Sequence, residues 1–385
     1  MLKKSILTAL VILLSLTPAS YALGPTTEAS IDNADVASSS LFATYWVPSR
    51  RDFGANNYWF YAHSIDIAAM AFARTPKAEN LRRLNDIVSA ERERGFLQGE
   101  HVFFDDEAWM AISLARVHAL TGDTRSLNDS VELLEDILKR GREGRENGVW
   151  WNSEHQKVAT ASNIAPVIAG ALLWKLTKNP AYLAFAKKNY RFWYETMVNL
   201  QTFQVNDQIF GNGEIDTTAF SYDQGLMIGA AVELFRITGE EKFLRDARNL
   251  SSYMLTRMVS QGVMVEELCL TRRQDCLGWK DVAMFKGIAV RYLVELLKVD
   301  PLNADLRNYL SKTSAMIMSP EVFDSFSGKF AYEWDGSVNP SVGSYQTANS
   351  AVLAVSAFAT LTTDVRAGLR QAGHVCREDI KDFGF

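Results

Sequence analysis

The sequence has few cysteines, few histidines and no excess of positive charge. Among 385 residues there are 3 cysteines and 5 histidines, and they do not form the clustered pattern of a zinc site. Lysine and arginine together number 40, against 45 aspartates and glutamates, so the formal net charge is −5 at pH 7. A chain without a basic stripe is poorly suited to bind a polyanion. We therefore expect neither a metal site nor a nucleic-acid partner.

Long apolar runs are also missing, except at the start of the chain. Lys3 and Lys4 precede an apolar segment at 6–16, and the following "TPASYALG" has the small-residue pattern of a cleavage site. This arrangement predicts a signal peptide at 1–22, with cleavage after Ala22. No later stretch has the roughly 18 apolar residues that a membrane span needs. We expect a mature chain that is secreted or periplasmic, is not inserted in a membrane and is a monomer.

Two of the three cysteines lie close together in the sequence. Cys269 and Cys276, in "CLTRRQDC", can close a short loop, and an exported protein meets an oxidising compartment. We predict a disulfide between them, which leaves Cys376 unpaired. The alternative is that all three remain unlinked thiols.

Six helical hairpins repeat along the chain. Segments such as "HALTGDTRSLNDS" and "FRITGEEKFLRDA" combine an apolar helical run, a tight polar turn and an amphipathic helix. The turns begin at Thr75, Thr121, Thr177, Thr238, Val299 and Thr362. The first helix of each pair is apolar nearly all round and is expected inside, whereas the second carries charge on one face. This pattern predicts an all-α fold, an (α/α)6 barrel forming a single catalytic domain over 23–385; an open helical solenoid is the alternative.

The starts of the predicted inner helices mark one end of the barrel. Counting back about four helical turns from each polar turn gives Trp59, Asp105, Asn163, Gln224, Lys286 and Gln346. The long connections at 141–158, 200–217 and 320–345 open onto the same end and are rich in Trp, Tyr, Gly, Asn and Asp. Such a composition is typical of a binding rim. We therefore expect the functional site at this end.

The stretch "FFDDEAW" places two adjacent aspartates at one of these helix starts. Asp105 and Asp106 could simply cap the helix, since carboxylates are favoured in its first turn. They also meet the need of glycosidic hydrolysis for two carboxyl groups that flank the sugar. Burial and mutual repulsion would keep one acid protonated while N–H groups hold the other ionised. A magnesium-diphosphate motif of the terpenoid-synthase kind is a weaker alternative, because Trp109 or Met110 stands where that motif has another acid.

An ordered set of motifs covers most of the chain. These are "FFDDEAW", "NGVWWN", "GEIDTTAFSYDQG", "FKGIAVRYL" and "SYQTANSAV", all between Trp46 and Thr360. Together they resemble glycoside hydrolase family 76, the endo-α-1,6-mannanases and their fungal cell-wall transglycosidase relatives. The resemblance implies an (α/α)6 barrel that retains anomeric configuration by double displacement. It further implies that Asp105 is the nucleophile and Asp106 the acid that later activates water or an acceptor sugar; the residues alone do not assign these two roles.

The resemblance and the positions at the helix starts also give candidate substrate-binding residues. Flat aromatic rings would stack on sugars, and polar or charged groups would bind hydroxyls. The set is Trp150, Trp151, Asn163, Tyr222, Asp223, Gln224, Phe285, Lys286 and Gln346. Asp223 stands where the family commonly has Asn, so it could raise the pKa of the catalytic acid or select a charged or amino-bearing sugar.

These features predict a retaining glycoside hydrolase that cleaves α-1,6-mannosidic linkages within mannan or a related oligo- or polysaccharide, with no metal or organic cofactor. The same first step would serve a transglycosidase acting on α-mannosides, in which an acceptor sugar replaces water. A non-catalytic glycan-binding barrel is the third possibility. The presence of both Asp105 and Asp106 argues against it.

Overall fold

The computed structural model describes residues 27–54, 59–95, 102–272, 276 and 279–385, so the predicted signal peptide lies outside the described residues. The long helices form two layers. The inner layer contains α2 (Trp59–Arg74), α4 (Phe104–Thr121), α6 (Thr160–Thr177), α8 (Ser221–Thr238), α11 (Val282–Val299) and α13 (Tyr345–Ala359). The outer layer contains α1 (Thr27–Tyr45), α3 (Ala78–Glu93), α5 (Thr124–Lys139), α7 (Pro180–Met197), α9 (Glu241–Arg257) and α12 (Ala304–Ile317).

Shorter elements lie in the connections between these helices. Two short helices are α10 (Glu267–Thr271) and α14 (Val365–Gln371), and 3-10 turns occupy Pro340–Val342 and Ile380–Phe383. An antiparallel sheet has the order β1 (Lys157–Ala159), β2 (Gln208–Phe210), β3 (Ile215–Asp216). Two further hairpins are β4 (Val259–Ser260) with β5 (Val263–Met264), and β6 (Phe323–Asp324) with β7 (Lys329–Phe330). In the sheet, Val158 pairs with Ile209, which joins the connection before α6 to the connection before α8.

The inner helices are buried on nearly every side. Almost all residues of α2, α4 and α6 are shielded from solvent, as expected for helices that pack both on their neighbours and on an outer layer. Each inner helix packs against the next, and α13 packs against α2. The ring is therefore closed, which confirms the predicted (α/α)6 barrel rather than an open solenoid. Within the described ranges, no helix combines the length and the apolar character needed to cross a membrane.

The outer helices bury only one face. Helix α5 buries Ser130, Leu133 and Ile137, which are spaced three or four residues apart and so form one stripe along the helix. The tight turn before it begins with Gly122 at φ 75°, where the missing side chain favours the left-handed conformation. The Asp123 carboxylate then accepts N–H hydrogen bonds from the first turn of α5. These conformational and hydrogen-bonding requirements explain why a short polar turn recurs between the paired helices in the sequence.

The sixth outer position differs from the sequence prediction. The segment after Thr362 forms only the seven-residue helix α14, and its buried apolar side chains are Val365 and Leu369, too few to cover an inner helix. Helix α1 packs along α13 instead, with Leu41 and Phe42 buried. The ring is thus completed by a helix from the start of the described chain.

Two inner helices carry acids in their first turn, and five carry bases in their last turn. All inner helices run in the same direction, so their first turns meet at one end, where Asp105, Asp106 and Asp223 lie. Their last turns carry Arg74, His118, Lys175, Arg236 and Lys298. Acids near helix N-termini and bases near C-termini are each stabilised by the helix dipole, typically by about 0.3–1 kcal/mol. The distribution of charge therefore follows the direction of the inner helices.

A disulfide closes the loop that contains α10. The Cα atoms of Cys269 and Cys276 are 5.5 Å apart and their sulfurs are bonded. Cys376 is unpaired and half-buried. The pairing is the one predicted from the spacing in the sequence.

An ionic cluster lies inside the barrel, away from solvent. The Asp66 carboxylate contacts the guanidinium of Arg116 at 2.9 Å and that of Arg291 at 2.5 Å. All three side chains are almost fully buried. Burial and the two neighbouring cations lower the pKa of His63 to about 3, so this imidazole is neutral near pH 7. Asp66 is the carboxylate that holds the two arginines of α4 and α11 together.

Replacing Asp66 should strongly destabilise the fold. Asp66→Asn would leave two buried guanidinium groups facing each other without their shared counter-charge, and we expect the free energy of unfolding to fall by about 3–5 kcal/mol. Urea unfolding followed by circular dichroism measures this. The matched control is Glu79→Gln, which breaks an exposed pair with Arg82 and should cost at most about 1 kcal/mol. Equal small losses in both variants would contradict the assigned role of Asp66.

Candidate active site

Asp105 and Asp106 lie in the first turn of α4, at the acidic end of the barrel. Phe103 is the N-cap residue and no side chain caps the helix there. The N–H of Phe104 donates to the carbonyl of Trp151 at 3.0 Å, and the buried Phe104 ring fixes the helix start. Both aspartates then line a cavity. Neither aspartate is the N-cap residue, although backbone N–H groups of the first turn stabilise the charge on Asp105.

The cavity is lined by aromatic rings and, in equal number, by charged or polar side chains. Its volume is about 350 Å³, within the usual range for small-molecule sites. Rings from four of the inner helices and from two connections line it: Trp59, Phe103, Trp109, Trp151, Tyr222 and Phe285. Polar groups besides the two aspartates come from Lys157, Asp207, Gln208 and Asp281. Flat apolar faces with a few polar groups suit a ligand that is itself part apolar and part hydroxylated.

The groups around Asp105 have opposing effects on its pKa. Burial raises the pKa of Asp105 to about 6, against the lowering effects of backbone N–H groups, of Trp151 and of Lys157. The indole N–H of Trp151 donates to Oδ2 of Asp105 at 3.2 Å. The Lys157 ammonium lies 3.9 Å from the centre of the Trp151 ring. These donors and this cation favour the ionised form, which is the form needed for nucleophilic attack.

Asp106 is in a different environment. Burial and the negative charges of Asp105 and Asp281 raise the pKa of Asp106 well above its ordinary value, and nothing comparable to the Trp151 and Lys157 contacts offsets them. One proton on the pair is therefore held mainly by Asp106, while Asp105 carries the negative charge. A protonated acid beside an ionised carboxylate is the division of roles expected in glycosidic bond cleavage.

The third acid of "FFDDEAW" has a structural role. Glu107 is fully buried on the side of α4 away from the cavity. Its carboxylate accepts a hydrogen bond from the guanidinium of Arg140 at 3.1 Å, which ties α4 to the end of α5. Of the three acids in the motif, only the two aspartates line the cavity.

The structure brings five of the predicted site residues into the cavity wall. They are Asp105, Asp106, Trp151, Tyr222 and Phe285. The rings of Tyr222 and Phe285 lie 4.1 Å apart between centroids, and so form a continuous aromatic face that joins α8 to α11.

Asn163 and Gln224 do not reach the cavity, because their amides hold rim loops. The Asn163 side chain donates to the carbonyl of Val149 at 3.0 Å and accepts from its N–H at 2.8 Å. Gln224 donates to the carbonyl of Phe203 at 2.6 Å and accepts from the N–H of Val205 at 2.9 Å. Both side chains are fully buried. Each amide thus replaces a backbone partner that the loop lacks.

Trp150, Lys286 and Gln346 also lie outside the cavity wall. The Trp150 indole donates to the carbonyl of Glu143 at 2.9 Å. The Lys286 ammonium is fully buried, 3.7 Å from a carboxylate oxygen of Glu333 and 4.7 Å from the centre of the Tyr332 ring, but it has no hydrogen-bond partner among the described residues. Gln346 is half-buried in the first turn of α13.

Asp223 is fully buried next to Asp207. The charge of Asp207 and burial raise the pKa of Asp223 well above its ordinary value, while burial raises the pKa of Asp207 to about 6. The hydroxyl of Tyr222 donates to Asp207 at 3.1 Å. Besides Asp105, the charged group that raises the pKa of Asp106 is Asp281 and not Asp223. Asp223 is therefore not among the charges that raise the pKa of Asp106, because its carboxyl faces Asp207.

The site contains further residues that were not selected from the sequence. Asp207 and Gln208 come from the connection at 200–217, which was assigned to the rim, and Asp281 immediately precedes α11. Lys157 begins β1. Their loops could be assigned to the correct end of the barrel, but which side chain turns inward depends on the β1–β2 pairing and on contacts distant in sequence. Among the described residues, no group of three His, Cys, Asp or Glu side chains is arranged to hold a metal ion.

A helical barrel with two carboxyls of unequal proton affinity in an aromatic cavity is the arrangement that glycoside hydrolases use. The family model described as "Glycosyl hydrolase family 76" matches residues 49–366. The protein is a glycoside hydrolase, and the chain belongs to glycosyl hydrolase family 76. No curated protein sequence matches the chain significantly.

Solved structures share the fold at low sequence identity. An inactive variant of an α-1,6-mannanase from Salegentibacter sp. HEL1_6, in complex with α-1,6-mannotriose, is 24% identical, with a TM-score of 0.77 over 86% of this chain and 99% of that one. The Lin0763 protein of Listeria innocua is 24% identical, with a TM-score of 0.74 over 90% and 99%. Dfg5 from Chaetomium thermophilum, in complex with glucosamine, is 17% identical, with a TM-score of 0.70 over 90% and 93%.

The carboxyl environments predict a bell-shaped pH dependence of kcat/KM. Activity should fall below about pH 6 as Asp105 gains its proton, and should fall at higher pH as Asp106 loses its proton. Asp281→Asn removes a charge that raises the pKa of Asp106, so the alkaline limb should move to lower pH while the acid limb stays. Asp305→Asn, on the exposed side of α12, is the control and should move neither limb. An alkaline limb that stays in place in Asp281→Asn would contradict the assignment.

Proposed function

We propose that this glycoside hydrolase cleaves α-1,6-mannosidic linkages inside a glycan chain and retains the anomeric configuration. The observation that supports this most is the unequal environment of the two aspartates. Asp105 accepts a hydrogen bond from the Trp151 N–H and lies near Lys157, whereas Asp106 lies near the carboxylates of Asp105 and Asp281. An ionised nucleophile and a protonated acid are the two groups that a double displacement requires.

In the first step, an Asp105 oxygen attacks the anomeric carbon while the bond to the leaving glycan breaks. Asp106 gives its proton to the departing oxygen, so the leaving chain departs as an alcohol. In the second step, Asp106 is a carboxylate and removes a proton from water. The water oxygen then displaces Asp105 from the anomeric carbon, and the two inversions together retain the configuration.

The choice of α-1,6-mannan rests on the family and on the nature of the cavity. Aromatic faces beside carboxylate and amide groups suit a neutral sugar, and a α-1,6-mannanase solved with α-1,6-mannotriose is among the structures that share the fold. A covalent intermediate can also be released by an acceptor sugar instead of water, so transglycosylation is the second candidate activity. The fold that the chain shares with fungal Dfg5 is the reason to test for it.

We also propose that the protein acts outside the cytoplasm, as a secreted or periplasmic enzyme, and that it is a monomer. The disulfide between Cys269 and Cys276 is compatible with an oxidising compartment. A polymeric mannan substrate would be met in the same place.

The products of linear α-1,6-mannooligosaccharides test the proposal. The chain without residues 1–22 should release shorter sugars, and proton NMR taken early should show the α-anomer before mutarotation. Matched α-1,2- and α-1,3-linked oligosaccharides are the substrate controls and should remain intact. Products longer than the substrate would identify transfer.

Asp105→Asn and Asp106→Asn should each fold and each lose at least about 10³-fold in kcat/KM, because each removes a covalent or proton-transfer step. Asp305→Asn is the matched control and should retain activity. First appearance of the β-anomer would contradict retention, and near-normal activity of either active-site variant would contradict the role given to that aspartate.

A further inference from the structure

A second cavity lies directly beside the first. Its volume is about 620 Å³, and it shares Asp207, Tyr222, Asp281 and Phe285 with the cavity that contains the two aspartates. The shared residues form the boundary between the two spaces. The cavities are therefore two parts of one groove, and a chain-like ligand placed at Asp105 can continue into the second part.

A row of aromatic rings runs along this groove. Successive ring centroids are 4.1 Å apart from Tyr222 to Phe285, 5.3 Å from Phe285 to Phe220, and 6.4 Å from Phe220 to Trp279. Trp279 is at the outer end of the row and is 53% exposed. Because Trp279 also lines the second cavity, its exposed ring is available to a ligand in the groove, and an indole offers both a flat apolar face and a polar N–H.

The backbone of Trp279 is hydrogen-bonded to Cys276, which makes two further contacts. Its N–H donates to the carbonyl of Cys276 at 2.9 Å, and the Tyr332 hydroxyl donates to the same carbonyl at 2.9 Å. Cys276 is joined to Cys269 by the disulfide. The main-chain N–H of Trp279 is therefore bonded to a residue that a disulfide and the Tyr332 hydroxyl also hold.

The charges around the second cavity are balanced. Its lining contains three acids and three bases, namely Asp207, Asp216, Asp281, Lys157, Arg272 and Lys280. A site for a phosphate or for a cationic sugar would carry an excess of one sign. Balanced charges with exposed aromatic faces suit a neutral, hydroxyl-rich ligand.

We propose that the second cavity is a subsite for a further neutral sugar unit of the same glycan chain, with the Trp279 indole as its stacking platform. This inference rests on the proposed function, since the ligand is the continuation of the chain that is cleaved at Asp105 and Asp106. Binding energy from this remote unit is available to the reaction at the cleaved bond. The enzyme should therefore prefer long chains to short ones, and Trp279 sets much of that preference.

The preference for chain length tests the subsite. The measurement is the ratio of kcat/KM for α-1,6-mannohexaose to kcat/KM for α-1,6-mannotriose. Trp279→Ala should lower this ratio about tenfold, which corresponds to about 1.4 kcal/mol, and Trp279→Phe should restore most of it because an aromatic face remains. The matched control is Phe326→Ala, which removes a fully exposed ring outside both cavities and should leave the ratio unchanged. Thermal unfolding checks that all variants are folded.

The outcomes separate the subsite from the proposed function. A ratio that is unchanged in Trp279→Ala, or an equal loss on both substrates, would overturn the subsite while the cleavage of α-1,6-mannosides stands. A wild-type protein that cleaves neither oligosaccharide would overturn the proposed function and, with it, the identity of the chain in the groove. A selective loss on the hexaose with rescue by Trp279→Phe supports both.

Discussion

Closure of six buried, parallel helices into a ring is the constraint on which the rest of the structure depends. Helices that are apolar nearly all round must be covered by an outer layer, and the antiparallel hairpins then force every inner helix to run the same way. Their first turns meet at one end, with free N–H groups and the positive ends of the helix dipoles. Asp105, Asp106 and Asp223 lie in first turns at that end, and the connecting loops that form the rim open there.

Crowding of acids at one end has a chemical consequence. Carboxyl groups that lie close together in a partly dry cavity cannot all be ionised at once. Donors and a cation stabilise the charge on Asp105, while Asp106 faces the charges of Asp105 and Asp281. The proton is therefore held unequally within the pair. Asp66, deep in the same barrel, is not crowded by other acids but is paired with two cations, Arg116 and Arg291. Its charge therefore stabilises the fold.

The sequence was sufficient to predict the ring and the position of Asp105 and Asp106 at the start of an inner helix, because both depend on local patterns: repeated polar turns, apolar helices and two adjacent aspartates before an apolar run. The direction of side chains around each helix was harder to predict. Neighbouring helical residues diverge by about 100°, so Tyr222 and Phe285 line the cavity whereas Gln224 and Lys286 do not. Asp281 was missed because it comes from a connection whose path is set by distant contacts. The position of α1 was missed because this helix is only weakly amphipathic and does not show the hairpin pattern that repeats along the chain.

The central claim is that Asp105 forms a covalent bond to the sugar and that Asp106 supplies the proton. The most direct measurement uses Asp106→Asn with a fluorosugar mannoside that carries an activated leaving group, followed by mass spectrometry of the protein and of its peptides. Such a leaving group needs no proton, so a mannosyl adduct should accumulate and map to Asp105. An adduct on another residue, or release of the leaving group without any adduct and with inversion at the anomeric carbon, would contradict the account.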